Sequence, residues 1–297
     1  MSFSSIAIAG LVMFGLGVTL AVTLAVAHRK FYVYEDPRID EIEEMLPRNN
    51  CGACGTGGCR AFAEALVSGK LTPGSCTVST PEIKEAIAAH LGVDVGAQEK
   101  RVARLACAGG RNVAWVRGRY AGVESCRAAA LIAGGGKGCA WGCLGLGDCQ
   151  RACDFNAITM NVHGLPVVND ERCTACNACV EECPRDLFSL QPVSHHLWVA
   201  CKNQAPEDQA KRECEVACVA CGRCEADSPG GVVMVVNHLA VVDYSKNLLA
   251  SKVAIQRCPT GAIVWIEESG EIMKGPEAKK VTRKSPLPIA QETVARM

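Results

Sequence analysis

The chain has 297 residues, twenty of them cysteines, and its formal net charge is zero. Apolar residues make up 49% of it, enough for the cores of two or three small domains, whereas aromatic residues make up only 5%. Zero net charge gives no reason to expect nucleic acid as a partner. So many cysteines indicate disulfides, structural zinc or iron-sulfur clusters, and only their spacing can decide among the three.

The first 27 residues contain no charged side chain, and the apolar run is long enough to cross a hydrocarbon core of about 30 Å as a helix. A cleaved signal peptide is the alternative, because the run ends in Ala25-Val26-Ala27, but no basic segment precedes it. Arg29 and Lys30 follow directly, so the positive-inside rule places the rest of the chain in the cytoplasm, where thiols stay reduced. We predict a transmembrane anchor over 1–27 and a connector over 28–50.

A first group of cysteines lies within residues 51–93 and consists of Cys51, Cys54, Cys59 and Cys76. Glycines between the first three relieve backbone crowding, as expected where a chain folds closely over a cluster. Pro73 and Gly74 turn the chain back, so that the fourth cysteine can return to the others. This pattern predicts a small 4Fe-4S domain, with structural zinc as the alternative. Residues 94–125 are predicted to form a basic linker.

An internal repeat with an offset of 75 residues occupies the middle of the chain. It relates five pairs of cysteines: Cys126 and Cys201, Cys139 and Cys214, Cys143 and Cys218, Cys149 and Cys224, and Cys183 and Cys258. Each copy also carries short apolar segments that are typical of strands. We therefore predict two tandem ferredoxin-like modules, over 126–192 and 193–266, and a charged, mobile tail over 267–297. The predicted fold class is α+β.

The first module has the cysteine spacing of a bacterial ferredoxin, C-x2-C-x2-C-x3-C-P, in which the fourth cysteine ligates the neighbouring cluster. That run is formed by Cys173, Cys176, Cys179, Cys183 and Pro184. One cluster is then expected on Cys153, Cys173, Cys176 and Cys179. Leu146 occupies the place of a middle ligand in the other site, and Cys139 is the expected substitute. The second cluster is therefore expected on Cys139, Cys143, Cys149 and Cys183.

The second module retains one of these two sites, formed by Cys218, Cys221, Cys224 and Cys258. The positions that match the other site are Ser228, Leu248, Ser251 and Ala254. Because all four ligands of one crossed site are absent together, the repeat itself supports the crossed topology. Four cysteines remain without a place, namely Cys107, Cys126, Cys201 and Cys214. A fifth cluster and buried apolar thiols are both open interpretations of these four.

Two segments carry a resemblance to a known family, CGACGTGGCRAFAEAL at 51–66 and GCLGLGDCQRACDFNAI at 142–158. Together with the uncharged N-terminal span, they resemble the B subunit of the Rnf (Rsx) complex, in a long form with an extra ferredoxin-like unit. The resemblance implies an electron-transfer subunit of a bacterial inner-membrane complex that couples electron flow between ferredoxin and NAD to Na+ or H+ translocation. Its implied partners are soluble ferredoxin and other membrane subunits, with a single-pass anchor and the main body on the cytoplasmic side.

The sequence contains no dinucleotide-binding fingerprint, Walker loop or nucleophile elbow, so we expect no catalytic residues. An iron-sulfur redox sensor and a corrinoid-reducing protein are the alternatives. A sensor needs one cluster, however, whereas four or five indicate an electron relay. The basic segment from Lys100 to Arg119 contains six cations and no acidic residue. It is either a solvated face or a patch that steers an acidic ferredoxin towards the clusters.

Overall fold

The computed structural model describes residues 3–31, 35–97 and 99–288. In these residues the helices are α1 Phe3–Phe31, α2 Pro37–Met45, α3 Cys59–Val67, α4 Pro81–Leu91, α5 Cys126–Leu131, α6 Asp148–Arg151, α7 Ala178–Glu182, α8 Glu207–Glu213, α9 Arg223–Asp227 and α10 Val253–Gln256. The strands are β1 Arg101–Leu105, β2 Ile158–Met160, β3 Pro166–Val168, β4 Phe188–Pro192, β5 Leu197–Val199, β6 Val233–Val236, β7 Leu239–Val242, β8 Ile263–Ile266 and β9 Ile272–Met273. The fold is α+β, as the sequence predicts.

Helix α1 is long and apolar enough, by length and composition, to cross a membrane. Its segment Gly10–Phe31 has a mean hydropathy of 2.2, and none of it is buried by the described part of the chain. The helix continues four residues beyond the predicted end of the anchor, because residues 28–31 include no glycine or proline that would end it. Arg29 and Lys30 therefore lie on its last turn, where cations interact favourably with the helix dipole.

Helices α2, α3 and α4 form a small domain around the first cysteine group. Ile42, Phe62 and Ile87 are almost fully buried between them, and Cys76 packs against the same core. Helix α2 begins at a proline, and the side chain of Asp36 accepts a hydrogen bond from its first turn. These contacts hold the cysteine loop over 51–59 against the three helices.

The two modules have the same plan, which the repeat predicts. Each contains an antiparallel hairpin, β2–β3 in the first copy and β6–β7 in the second. Each is completed by a strand that precedes its first repeated cysteine, Cys126 or Cys201, and that pairs antiparallel with a strand near the end of the copy. Strand β1 pairs with β4, from Arg101 opposite Pro192 to Leu105 opposite Phe188, and β5 pairs with β8. The first module therefore begins at β1.

The segment predicted as a basic linker, 94–125, is thus folded against both modules and does not form a separate linker. Val102 and Ala103 of β1 are buried, and Val113 and Ala114 pack in a cluster with Cys214. Arg104 is itself buried, with a guanidinium nitrogen 2.8 Å from a carboxylate oxygen of Asp170. Its charge is neutralised inside the fold, which a count of basic residues along the sequence does not reveal.

The charged tail is predicted to be mobile, but its described part, residues 267–288, packs against the rest of the protein. Strand β9 pairs with β8, and Leu287 is buried, with its N–H donating to the carbonyl oxygen of Arg111 at 2.9 Å. Arg283 donates to the carbonyl oxygen of Asn112 at 2.9 Å and pairs with Glu215 at 3.3 Å. The tail therefore packs along both modules. Residues 289–297 lie outside the described part of the chain.

Candidate iron-sulfur sites

All twenty cysteines are free thiols, and they line five pockets, four cysteines to each. We name the pockets A (Cys51, Cys54, Cys59, Cys76), B (Cys153, Cys173, Cys176, Cys179), C (Cys126, Cys143, Cys149, Cys183), D (Cys107, Cys139, Cys201, Cys214) and E (Cys218, Cys221, Cys224, Cys258). Five pockets with the same set of four cysteine donors indicate five ligands of one kind.

Pocket A is built by the tight loop that leads into α3. Gly58 has φ +152°, and a Cβ there would lie 2.8 Å from Oδ1 of Asn50. That oxygen accepts a hydrogen bond from the N–H of Cys59 at 2.8 Å, which fixes the start of the helix. Ser79 donates to the sulfur of Cys76 at 3.1 Å. The glycine is therefore needed where the loop folds over the pocket.

Pocket B contains the four cysteines that the ferredoxin spacing assigns to one site. Their loop passes through positive φ at Ala175 and Asn177, and then enters α7. Cys179 lies in the first turn of this short helix and Cys183 immediately follows it, so the two sulfurs line different pockets, B and C. The helix thereby produces the crossed arrangement that the sequence predicts.

Pocket C differs from the sequence interpretation, because its fourth cysteine is Cys126 and not Cys139. The reason is the carboxylate of Asp148, which is 4% exposed and accepts hydrogen bonds from Ser125 Oγ at 2.9 Å and from the N–H of Arg127 at 3.2 Å. Burial raises the pKa of Asp148, but the backbone hydrogen bond from Cys126, the bonds from Ser125 and Arg127, and the charge of Arg151 together hold this pKa below its usual value. Asp148 thus joins the start of α5 to the start of α6 and brings Cys126 beside Cys149.

Pocket D brings Cys139 together with three of the four cysteines that the sequence leaves without a place. Its cysteines come from four separate segments. Cys107 follows β1, and an isolated antiparallel bridge pairs Ala114 with Cys214. Ala108 donates its N–H to the carbonyl oxygen of Ala200 at 2.9 Å, which brings Cys107 towards Cys201. The four unplaced cysteines therefore do not form a set of their own.

Pocket E contains the intact site of the second module, and Cys221 is the one exposed cysteine of the twenty. The positions of the absent site in this module do not line any of the five pockets. Leu248 is fully exposed, whereas Ala254 is 1% exposed. Because neither position carries a cysteine, Leu248 and Ala254 have no ligand to share, and one lies at the surface while the other lies in the core.

The donor chemistry of the five pockets fits iron-sulfur clusters. Burial raises the pKa of Cys143, Cys149 and Cys214 to about 12, so an isolated thiolate there is unstable unless a bound cation compensates it. Each pocket offers four cysteine sulfurs and no histidine, which is the donor set of a 4Fe-4S cluster.

The pockets are neighbours in the order A, B, C, D, E. Cys176 of pocket B adds to the effect of burial in raising the pKa of Cys51 in pocket A. Cys149 of pocket C and Cys179 of pocket B pack in one core cluster. The N–H of Cys143 in pocket C donates to the sulfur of Cys107 in pocket D at 3.4 Å. The final link joins D to E, where the N–H of Cys218 donates to the sulfur of Cys201 at 3.3 Å.

Comparison with known proteins agrees with this chemistry. Residues 46–78 match a family model described as "Putative Fe-S cluster", and residues 166–188 match a 4Fe-4S binding domain. These segments contain cysteines of pockets A, B and C. The chain is thus an iron-sulfur protein.

Similar proteins cover most of the chain. The B subunit of an ion-translocating oxidoreductase complex from Methanosarcina acetivorans is 37% identical over 85% of this chain and 95% of its own length. The B subunit of a Na(+)-translocating ferredoxin:NAD(+) oxidoreductase complex from Acetobacterium woodii is 37% identical over 86% of this chain and 76% of its own length. A proton-translocating counterpart from Clostridium ljungdahlii is 35% identical over 89% and 93%. The chain therefore belongs to the family of B subunits of ion-translocating (Rnf-type) oxidoreductase complexes.

Proposed function

We propose that this chain is the electron-transfer subunit of a membrane-bound complex that couples electron flow between ferredoxin and NAD to the translocation of Na+ or H+. It holds five 4Fe-4S clusters, one in each of pockets A to E. When bound, such a cluster takes up and releases one electron at a time. The observation that carries the proposal is that twenty cysteines line five pockets of four, which form one connected series. Ferredoxin, NAD and the ion come from the names of the relatives.

The residues around the cysteines hold the clusters and limit the access of water. Pockets A, B and E are lined by no charged side chain. Backbone N–H groups donate to cysteine sulfurs, for example Ala103 to Cys173 at 3.4 Å and Ala157 to Cys153 at 3.3 Å. Hydrogen bonds to the sulfurs and solvent exposure set the potential of such clusters. A redox sensor needs one cluster, so the connected series favours a relay.

We assign the two ends of the series to different partners. Pocket E has the exposed Cys221, so a soluble donor such as ferredoxin approaches there. Pocket A belongs to the domain that follows α1 in the chain and delivers electrons to the membrane subunits. Arg29 and Lys30 at the end of α1 favour a single-pass anchor with the clusters on the cytoplasmic side. The domains are those predicted from the sequence, with the first module extended to start at β1.

The basic segment is a weaker candidate for docking ferredoxin than pocket E. Arg104 is buried against Asp170, and Arg101 donates to the carbonyl oxygen of Leu190 at 2.8 Å. Arg117 donates to the carbonyl oxygen of Gly138 at 3.0 Å. Several of its cations therefore serve the fold, and fewer charges are available for steering than the sequence suggests.

Matched substitutions at the two ends of the series test this function. Anaerobically purified full-length protein is expected to contain about twenty irons and as many sulfides. Reduction by ferredoxin is followed by rapid mixing for Cys221→Ala and for Cys51→Ala, each of which removes one terminal cluster. We expect Cys221→Ala to slow reduction of the remaining clusters by ferredoxin but not by dithionite. Cys51→Ala is expected to leave the ferredoxin rate unchanged.

Two results would contradict the proposal. Zinc in place of iron would exclude the relay. A slow ferredoxin reaction in Cys51→Ala, with a wild-type rate in Cys221→Ala, would show that electrons from ferredoxin enter at pocket A.

A further inference from the structure

Pocket D is the one pocket of the five whose lining carries cations without a carboxylate. Lys137 and Lys202 line it, whereas pocket C is lined by charges of both signs and pockets A, B and E by none. Pocket D is also the link between the two modules. Because reduction adds negative charge to a cluster, a nearby cation favours the reduced form.

Two glycines bring Lys137 close to the sulfurs of pocket D. Its Nζ donates to the carbonyl oxygen of Gly109 at 2.5 Å. A Cβ on Gly109 would lie 3.2 Å from the sulfur of Cys214, so this residue lies directly against the pocket. A Cβ on Gly142 would lie 3.1 Å from Cε of Lys137 and 3.5 Å from the sulfur of Cys139. Only Gly109 lies between Lys137 and the sulfur of Cys214, and only Gly142 lies between Lys137 and the sulfur of Cys139.

The charge of Lys137 has no ion-pair partner among the described residues. Glu213, which precedes Cys214 in the chain and whose charge acts on Cys139 of this pocket, is 6% exposed. It accepts hydrogen bonds from Asn203 at 3.1 Å and Gln209 at 2.8 Å, and the Arg117 guanidinium lies 3.6 Å away. The negative charge of Glu213 is therefore engaged by other groups.

N–H donors act in the same direction as the lysine. The side-chain amide of the buried Asn203 donates to the sulfur of Cys139 at 3.5 Å, and its backbone N–H donates to Cys201 at 3.5 Å. The N–H groups of Cys143 and Cys218, which connect D to C and E, also end on sulfurs of pocket D. Donors to cysteine sulfurs stabilise the more negative, reduced cluster.

We propose that Lys137 sets the potential of the site in pocket D, the fourth of the series, so that this pocket holds the most easily reduced cluster of the five. An electron that enters the series then comes to rest between the two modules, and the sites on either side fill afterwards. This inference rests on the proposed cluster in pocket D. Lys137 acts here through its charge and ligates nothing.

The first test identifies the cluster and ranks it. EPR-monitored redox titration of the full-length protein is compared with that of Cys214→Ala. The signal that the variant lacks belongs to pocket D, and in the wild type it should be the first to appear as the potential is lowered. If that signal appears after any other, the inference is overturned. If Cys214→Ala loses neither iron nor a signal, pocket D holds no cluster and the five-cluster proposal fails instead.

The second test removes the charge. Lys137→Gln is expected to lower the reduced-to-oxidised ratio of the pocket D cluster about tenfold at a fixed potential, a shift of about 59 mV for one electron, and to leave the midpoints of pockets A, B and E in place. Lys137→Arg, which keeps the charge, should remain near the wild-type midpoint. Lys202→Gln is the matched control, because its Nζ donates to the carbonyl oxygen of Asp186 and should have a smaller effect. An unchanged midpoint in Lys137→Gln with full iron content, or an equal shift in Lys137→Arg or Lys202→Gln, would refute a role for the Lys137 charge.

Discussion

The grouping of cysteines in pockets C and D can be tested by counting irons in double variants. The sequence places Cys139 with Cys143, whereas the structure places Cys126 with Cys143 and Cys139 in pocket D. A cluster held by four thiolates is expected to be lost or severely depleted when one is removed, so each single alanine variant should lose about four of about twenty irons.

The double variants separate the two groupings because losses within one pocket do not add, whereas losses in different pockets do. Cys126→Ala with Cys143→Ala should again lose about four irons, since both residues line pocket C. Cys139→Ala with Cys143→Ala should lose about eight, since these residues line different pockets. The sequence grouping instead predicts a loss of only about four irons from the Cys139 and Cys143 double variant, because it places both residues in one site.

The assay is iron and acid-labile sulfide per folded chain, measured on anaerobically purified protein, with circular dichroism to confirm folding. Leu144→Ala is the matched control, because this side chain lines pocket C without offering a sulfur, and it should keep its irons. A loss of only about four irons from the Cys139 and Cys143 double variant would return Cys139 to pocket C. Full iron content in Cys126→Ala would make Cys126 a buried thiol.

Three further outcomes follow from the fold. Arg104→Ala should lower the free energy of unfolding by about 3 kcal/mol, because it leaves the partly buried carboxylate of Asp170 unpaired. Substitution of the exposed Arg101 by alanine is the control and should lower the free energy of unfolding by less than about 1 kcal/mol. Equal effects of the two substitutions in thermal unfolding would contradict the buried pair. Deletion of residues 1–31 should release a soluble, iron-containing protein in ultracentrifugation, and a truncated chain that sediments with membranes when its partner subunits are absent would refute the anchor. Gly275→Ala should loosen the C-terminal tail in limited proteolysis, because its Cβ would overlap a backbone carbonyl oxygen of α10. Gly118→Ala, which has open space, is the control, and equal cleavage in both would count against tail packing.

The groupings in which the sequence prediction and the pockets agree are those built by one loop and one later or earlier cysteine of the chain. Pocket A combines a loop over 51–59 with Cys76, and pocket B combines a loop over 173–179 with Cys153. Short spacing limits where the sulfurs of a loop can point, and the ferredoxin pattern specifies the crossing. Pocket E likewise combines a loop over 218–224, which has the same C-x2-C-x2-C spacing as pocket B, with Cys258.

The groupings that sequence reasoning missed depend on contacts between distant segments. Cys126 reaches pocket C because the buried Asp148 holds α5 against α6. No local spacing encodes that contact. The repeat does contain a signal, since the second copy has Cys221 at the position where the first copy has Leu146. The first copy therefore lacks a ligand that a cysteine outside its loop must supply.

The sequence by itself determined the membrane-length apolar helix, the cysteine chemistry, the two-module repeat and the resemblance to the family, because each depends on composition or on spacing within one stretch of chain. Only the tertiary structure decided that β1 completes the first module, that Arg104 is buried against Asp170, and that pocket D draws its cysteines from four segments. These features arise from strand pairing and buried polar contacts between residues far apart in the chain. Such contacts bring sulfurs together by folding, and the spacing of the residues along the sequence leaves them undetermined.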